Sequence, residues 1–166
     1  MNKLLLFAFL LPLFSCNNTD RDLNAVHKEI GERYFRGVYG CDPSVVDDLT
    51  ADDVFISYPV FKQLFNKSAI RGRKAVKDFV NGFCSRWKDS QITIHETVAE
   101  GNTTIFLWSF KALYVGPAQP NGPANNTEHS WGGITLIRFN DQGKIIEETG
   151  EESTPGPYSR INKTIP

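Results

Sequence analysis

Residues 103–115 read TTIFLWSFKALYV and residues 128–139 read EHSWGGITLIRF, and in both stretches apolar and polar side chains alternate. A period of two is typical of a β-strand that packs one face against a core. The same alternation occurs at residues 91–99 and 144–152. Residues typical of turns stand at 100–102 and 140–143. Because short turns join neighbouring strands in antiparallel fashion, we predict a four-stranded meander.

Helical periodicity precedes this meander. Leu23, Val26, Ile30 and Tyr34 recur at helical spacing and predict an amphipathic helix over residues 22–39. The chain up to the meander is then predicted as a short helix around residues 45–49, a strand at 54–58, a loop at 59–71 and a long helix with an apolar stripe from residue 75 to 87. The predicted fold class is α+β, with a curved antiparallel sheet wrapped around N-terminal helices as a cone-shaped barrel.

Composition limits the classes of function. The chain has 166 residues, 18 Lys+Arg against 19 Asp+Glu, and a pI near 6.3. No basic excess is present to bind a phosphate backbone, so we expect no nucleic-acid partner. The sequence lacks the Cys/His spacing of a zinc site and a glycine-rich phosphate loop, so we expect no metal and no cofactor. The length is that of one domain.

The N-terminus has the pattern of an export signal. Lys3 precedes an apolar run, Leu4–Phe14, that is too short to cross a bilayer. The run ends in Leu-Phe-Ser before Cys16, which resembles a bacterial lipobox. We predict a bacterial lipoprotein anchored to the cell-envelope membrane only through lipid on Cys16; the alternative is an ordinary signal peptide cleaved nearby. The predicted segments are a signal peptide (1–15), a tether (16–22), a domain (23–153) and a C-terminal tail (154–166).

Two cysteines remain in the predicted mature chain beyond Cys16. Export exposes Cys41 and Cys84 to an oxidising compartment, where one disulfide can form. Cys84 falls on the apolar face of the predicted long helix, so the alternative is two small buried apolar side chains.

Several short segments resemble one known superfamily in order and spacing. They are LTADDV at residues 49–54, IRGRKAV at 70–76, AEGN at 99–102, Trp108, IRF at 137–139 and GKIIE at 143–147. The chain resembles the SnoaL-like branch of the nuclear-transport-factor-2-like superfamily, whose cone is cystatin-like. The resemblance implies a cavity that binds a small molecule, chemistry without metal or organic cofactor where there is chemistry, and a homodimer. The superfamily includes polyketide cyclases, ketosteroid isomerase and non-enzymatic binding modules, so the fold alone does not give the function.

Strand alternation assigns side chains to the inner face of the sheet. We predict a pocket for a small apolar or aromatic molecule lined by Tyr58, Trp108, Phe110 and Trp131. The alternative is plain core, which we favour for Phe110. The pair Gly132-Gly133 within a strand predicts a bulge or sharp curvature.

Four residues are candidates for acid–base chemistry: His129, His95, Tyr114 and Glu151. Neutral imidazole accepts protons near pH 7, and a phenol can donate a hydrogen bond to a developing oxyanion. His95 enters the pocket only if a bulge resets the strand register. His27, among charged neighbours, is predicted to lie on the surface.

The candidate acid of the last strand comes from comparison with the resembling cyclases. These have an aspartate downstream of the Gly-Lys-Ile segment, and the nearest positions here are Gly150 and Ser153. A neighbouring glutamate can substitute, and since Glu148 and Glu151 alternate to opposite faces, at most one of them points inward. We predict Glu151; the alternative is a solvated acidic edge strand.

Three hypotheses of function follow. The first is an exported protein that binds a small apolar or aromatic ligand. The second is a cofactor-independent isomerase, dehydratase or cyclase. The third is an interaction module that dimerises through the outer sheet face, where Ile134 and Leu136 flank Arg138.

Overall fold

The computed structural model describes residues 18–118 and 123–161 of the chain. In chain order its elements are α1 (Asn18–Tyr39), α2 (Ser44–Leu49), β1 (Thr50–Ser57), α3 (Pro59–Phe65), β2 (Ile70–Arg71), α4 (Arg73–Cys84), β3 (Trp87–Glu100), β4 (Thr103–Tyr114), β5 (Thr127–Phe139), β6 (Ile145–Ser153) and α5 (Pro157–Ile161). The predicted signal peptide and Cys16 lie outside the described residues. No described helix is both long enough and apolar enough to span a membrane.

The six strands form one sheet in the order β2-β1-β6-β5-β4-β3. β3 to β6 make the predicted antiparallel meander, β1 pairs with β6 in parallel, and the short β2 pairs with β1. Helices α1 and α4 pack against this sheet. The predicted α+β class and the cone-shaped architecture are confirmed.

Strand alternation assigns the two faces of the sheet correctly. Along β4 the buried apolar side chains are Phe106, Trp108, Phe110, Ala112 and Tyr114. On the next strand Trp131 pairs directly with Phe110, so it lies on the same face as these side chains. The opposite face is partly exposed, with Ile134 46% accessible.

Of the two alternatives predicted for Gly132-Gly133, a bulge or sharp curvature, the bulge is not present in the β4–β5 pairing. The pairing of β4 with β5 runs without a break through both glycines. A Cβ on Gly133 would lie 2.7 Å from Cζ2 of Trp108, so the glycine provides room for the indole ring. Register shifts occur instead in β3, where one of them brackets His95.

Three segments predicted as loop, tether or tail contain helix. Residues 59–65 are helical rather than loop, because Pro59 stands at the helix start with a fixed φ and Phe61 is buried. Helix α1 extends back to Asn18, into the predicted tether. The predicted tail contains α5, which packs on β4 and β5.

A disulfide joins Cys41 to Cys84, with a Cα–Cα distance of 5.7 Å. The bond connects the chain just after α1 to the last residue of α4. Of the two alternatives for these cysteines, the structure has the disulfide.

The predicted surface position of His27 is wrong. The side chain is 3% exposed and its ring stacks on Phe139 at 4.2 Å between centroids. Its Nδ1 lies 2.7 Å from the carbonyl oxygen of Gly101, in the β3–β4 turn. His27 therefore attaches α1 to the end of the sheet, a long-range contact that its charged sequence neighbours do not indicate.

Candidate active site in an aromatic cavity

A cavity of about 420 Å³ lies between the helices and the inner face of the sheet. Its walls come from the end of α1, from α3 and α4, and from β1, β3, β4, β5 and β6. The aromatic lining residues are Tyr39, Tyr58, Phe61, Phe79, Phe83, Trp87, Tyr114, His129 and Trp131. The ionisable groups other than phenols and imidazole are Arg86, Glu148 and Glu152.

Glu148 is a carboxyl group held between two tyrosines. Its side chain points inward from β6 and is 3% exposed. The Tyr58 hydroxyl donates to Oε1 at 2.6 Å, and the Tyr34 hydroxyl donates to Oε2 at 2.9 Å. Burial raises the pKa of Glu148, and the two phenol donors oppose that effect by stabilising the carboxylate. In turn, burial and the nearby Glu148 charge hold the pKa of both phenols well above 10.

The hydrogen bonds of Glu148 continue into the sheet. The Tyr58 oxygen is 2.8 Å from Oγ1 of Thr135, which accepts a 2.9 Å hydrogen bond from the indole N–H of Trp108. Because Tyr58 gives its single proton to Glu148, the Thr135 hydroxyl donates to Tyr58. Each of these donors has one acceptor, so the network fixes the carboxylate of Glu148 in one position.

Glu152 lies four residues further along β6 on the same face. It lines the cavity and is partly buried. Burial raises the pKa of Glu152 to about 7, the indole N–H of Trp131 opposes this, and the charge of Glu148 adds to the rise. A carboxyl group with this pKa takes and gives a proton near neutral pH.

Tyr39 stands on the helical side of the cavity, at the end of α1. Its pKa is well above 10, first because of burial and then because of the charges of Glu152 and Glu148. Its hydroxyl makes no hydrogen bond within the described part of the chain, whereas those of Tyr34 and Tyr58 do. The Tyr39 phenol is therefore a neutral donor available to a molecule in the cavity.

The predicted residues His129 and Tyr114 also line the cavity. Nε2 of His129 is 2.6 Å from the Thr127 hydroxyl, whose proton goes to the carbonyl oxygen of Ala124. Nε2 of His129 therefore carries a proton, and Nδ1 is the basic nitrogen of the neutral ring. The Tyr114 hydroxyl donates to the carbonyl oxygen of Pro117 at 2.9 Å, so its proton is already engaged.

His95 is not in the cavity. A register shift does occur at this residue, but its Nε2 bonds to the Ser109 hydroxyl at 2.9 Å and its ring stacks on Tyr158 of α5 at 3.4 Å. Ser109 lies between two inward-facing residues of β4, so these contacts are on the outer face. Burial lowers the pKa of His95.

The glutamate predicted to point inward, Glu151, is exposed on the outer face, whereas Glu148 and Glu152 are on the inner face. The prediction failed because alternation divides the residues of β6 into two faces but does not show which face points inward. Gly150, one of the positions matched to the cyclase aspartate, lies between the two acids on the inner face. A Cβ there would meet the Tyr58 ring at 2.6 Å, so Tyr58 fills the space that a side chain at residue 150 would need.

Among the predicted ligand-pocket residues, Tyr58 and Trp131 line the cavity. Trp108 and Phe110 are fully buried core residues behind that lining. Tyr34 and Tyr39 were not predicted as site residues. Their position on α1 indicates at most that they face the core, and it does not show which groups of the sheet lie near their hydroxyls. Within the described residues no group of three or more His, Cys, Asp or Glu side chains is placed to hold a metal ion.

An α+β cone that encloses a cavity with an aromatic wall and two carboxyl groups is typical of proteins that bind small molecules. The model of the SnoaL-like domain family matches residues 32–148, and the chain belongs to that family. No curated protein matches the sequence.

Solved structures share the fold. TsrD from Streptomyces laurentii is 20% identical with a TM-score of 0.63, and the match covers 83% of this chain and 96% of TsrD. A putative SnoaL-like polyketide cyclase from Jannaschia sp. CCS1 is 14% identical with a TM-score of 0.66, covering 87% and 95%. AclR, a putative hydroxylase from Streptomyces galilaeus, is 16% identical with a TM-score of 0.63, covering 84% and 98%. At these identities the likeness concerns the fold.

Proposed function

We propose that the protein binds a small, largely apolar carbonyl compound in the aromatic cavity and catalyses a proton transfer on it without a cofactor. The observation that carries this proposal is the position of Glu152, an acid whose pKa is raised to about 7, on the wall of a largely aromatic cavity. Such a proton transfer is the first step of isomerisation, of dehydration and of aldol-type cyclisation.

Binding follows from the size and lining of the cavity. A volume of about 420 Å³ accommodates a molecule of two or three fused rings. Trp87 and Trp131 lie 5.0 Å apart between ring centroids and form one continuous aromatic wall. Flat apolar molecules gain from stacking and from apolar area removed from water on such a wall.

The proposed step is a proton transfer between carbon and oxygen. The Glu152 carboxylate takes the proton from the carbon next to the carbonyl group, and the C–H electron pair moves to form an enolate. The Tyr39 hydroxyl donates a hydrogen bond to the enolate oxygen. The protonated Glu152 then returns the proton to a carbon of the enolate, so no group is consumed.

Glu148 positions this chemistry without contacting the reacting atoms. Both oxygens of its carboxylate already accept a hydrogen bond from a phenol, those of Tyr34 and Tyr58, so we assign the transfer of the substrate proton to Glu152. Its charge contributes to the raised pKa of Glu152 and so keeps a fraction of that acid protonated at pH 7.

A direct test uses 2-tetralone as the probe ketone and follows exchange of its α-protons for solvent deuterium by NMR. We expect the wild type to accelerate exchange over buffer, and Glu152→Gln to lower this rate by a factor of about 10²–10⁴. Glu151→Gln is the matched control, because the residue is adjacent in sequence but on the outer face, and it keeps the wild-type rate. Loss of exchange in Glu151→Gln with retention in Glu152→Gln overturns the assignment of the base.

The alternative function is ligand binding without turnover, and the absence of an aspartate at Gly150 and Ser153 favours it. The same experiment separates the two. If 2-tetralone binds, as seen by line broadening of its ring protons, but its α-protons do not exchange faster than in buffer, catalysis is excluded for this substrate class and binding remains.

We further propose that the protein is an exported lipoprotein, anchored to the membrane through lipid on Cys16. The Cys41–Cys84 disulfide supports an oxidising compartment. Mass spectrometry of the mature N-terminus tests this proposal, since a chain that retains residues 1–15 or an unmodified Cys16 contradicts it.

A homodimer through the outer sheet face is proposed as well. It is supported by exposed Ile134 and by Ile105 on the neighbouring strand, which pairs with Leu136. Sedimentation at micromolar concentration tests it, with Ile134→Lys expected to shift the protein to monomer.

A further inference from the structure

The cavity has one cationic side chain among its described lining residues, Arg86. Arg86 stands between α4 and β3, and its carbonyl oxygen accepts a 2.8 Å hydrogen bond from the main-chain N–H of Val115. A Cβ on Gly116 would come within 3.0 Å of its Cγ. These contacts hold Arg86 at the end of β4 where Tyr114 pairs with Trp87.

Arg86 has no acidic partner. None of the ion pairs between described residues includes it, and its only side-chain hydrogen bond within the described chain runs from Nε to the carbonyl oxygen of Gly82, at 2.9 Å. Among the described residues, the two terminal NH₂ groups of the guanidinium have no acceptor. A half-buried guanidinium on a cavity wall that forms no ion pair with a described acid attracts the anionic group of a ligand.

The acids of the cavity lie towards its other end. Glu152 pairs with Gly133, which pairs with Trp108 on β4, six positions from Tyr114. Glu148 is one inward position beyond Gly150, further from Arg86 again. The ring of Trp87, which follows Arg86 in the chain, contacts the ring of Trp131, and Trp131 in turn hydrogen-bonds to Glu152. The cavity is thus polarised, cationic at one end and acidic at the other.

We infer that Arg86 binds a carboxylate of the ligand, so that the substrate class is an amphipathic carboxylic acid with an apolar ring body. This inference rests on the proposed function, because it concerns the same cavity. The guanidinium offers two parallel N–H donors to the carboxylate. Repulsion from Glu148 and Glu152 disfavours the reverse orientation, so the ring end of the ligand is directed to Glu152 and Tyr39.

The test compares two probes of the same shape, 1-naphthaleneacetate and 1-naphthaleneacetamide, by isothermal titration calorimetry. We expect the wild type to bind the carboxylate about tenfold more tightly than the amide. Arg86→Gln should remove that preference: the affinity for the carboxylate should fall about tenfold, and the affinity for the amide should change little. Arg138→Gln, on the outer face, is the matched control and should leave both affinities unchanged. Raising the salt concentration should lower only the affinity for the carboxylate probe.

Each outcome decides the inference. Equal affinity of both probes for the wild type, no binding of either probe, or an equal loss of both in Arg86→Gln overturns it. Acceleration of 2-tetralone exchange without a carboxylate preference removes the inference and leaves the proposed function intact. A carboxylate preference lost in Arg86→Gln, in a protein that does not exchange 2-tetralone, supports the inference and removes the proposed catalysis.

Discussion

The hydroxyl of Tyr58 donates a 2.6 Å hydrogen bond to Oε1 of Glu148, although the two residues are 90 positions apart in the chain. Tyr58 reaches this acid across Gly150, where no side chain interferes. A buried carboxylate is costly in free energy unless its oxygens are hydrogen-bonded, and here each oxygen accepts a hydrogen bond from a phenol. The contact joins the start of α3 to β6 and therefore couples the wall of the cavity to the sheet.

Removal of this hydroxyl should destabilise the fold. We expect Tyr58→Phe to lower the free energy of unfolding by about 1–3 kcal/mol, because one oxygen of a buried carboxylate loses its donor. Urea unfolding at pH 7 measures the change. Tyr39→Phe is the control, since the Tyr39 hydroxyl makes no hydrogen bond in the described chain, and it should change stability by less than about 0.5 kcal/mol. Equal losses in the two variants would contradict the role given to the Tyr58–Glu148 contact.

The raised pKa of Glu152 predicts a pH dependence of stability. Its pKa is about 7 in the folded protein and 4.5 ordinarily, so the folded state holds the proton more tightly. Well below pH 4.5 the group is protonated in both states, and its favourable contribution is fully present. As the pH rises from 4.5 to 7 the unfolded chain loses the proton first, and the free energy of unfolding falls by up to about 3 kcal/mol.

Glu152→Gln removes that decline because the amide keeps the shape without titrating. The variant should match the wild type at pH 4 and be more stable at pH 8. Urea unfolding across this range measures the difference, with Glu151→Gln as the control expected to follow the wild type. A difference that does not grow with pH would show that Glu152 has an ordinary pKa.

The fold was predictable because alternation and helical periodicity depend on local sequence. The buried run from Phe106 to Tyr114 is readable from β4 alone. Which side chains of β6 face inward was not predictable, since Glu151 and Glu152 are adjacent in the chain and both faces of that strand carry acids. The pairing of β5 with β6 settles the matter by placing Glu152 opposite Gly133.

Partners distant in the chain account for the other errors in the candidate site. Helical spacing placed Tyr34 on the apolar stripe of α1, yet its hydrogen bond to Glu148 spans 114 positions. A register shift brackets His95, yet Ser109 and Tyr158 hold its side chain on the outer face. Periodicity gives the face of a regular strand and carries no information about such contacts.

The Cys41–Cys84 disulfide should contribute substantially to stability. It closes a loop with a sequence separation of 43. The loop-entropy model assigns roughly 4 kcal/mol to a loop of this length. We expect Cys41→Ser/Cys84→Ser to lower the free energy of unfolding by about 2–5 kcal/mol in urea. Treatment of the wild type with dithiothreitol should reproduce most of that loss, and dithiothreitol should not affect the double variant. Equal stability of the oxidised wild type and the double variant would contradict the prediction.

Two glycines give opposite expectations for the same substitution. In Gly133→Ala the new Cβ would clash with the carbonyl oxygen of Glu151 and lie 2.7 Å from the Trp108 ring, and a backbone atom cannot move away at low cost. We expect a loss of about 1–3 kcal/mol in the free energy of unfolding, with a disturbed Trp108–Thr135 hydrogen bond.

Gly82→Ala is the matched control, because nothing lies within 4 Å of its Cβ position in α4. Alanine restricts the unfolded chain and favours the helix, so this variant should gain about 0.5–1 kcal/mol. Urea unfolding of both variants measures the contrast. A tolerated Gly133→Ala would mean that Trp108 has space to move away from β5, and the inner wall of the cavity would then be looser than the register of β4 with β5 implies.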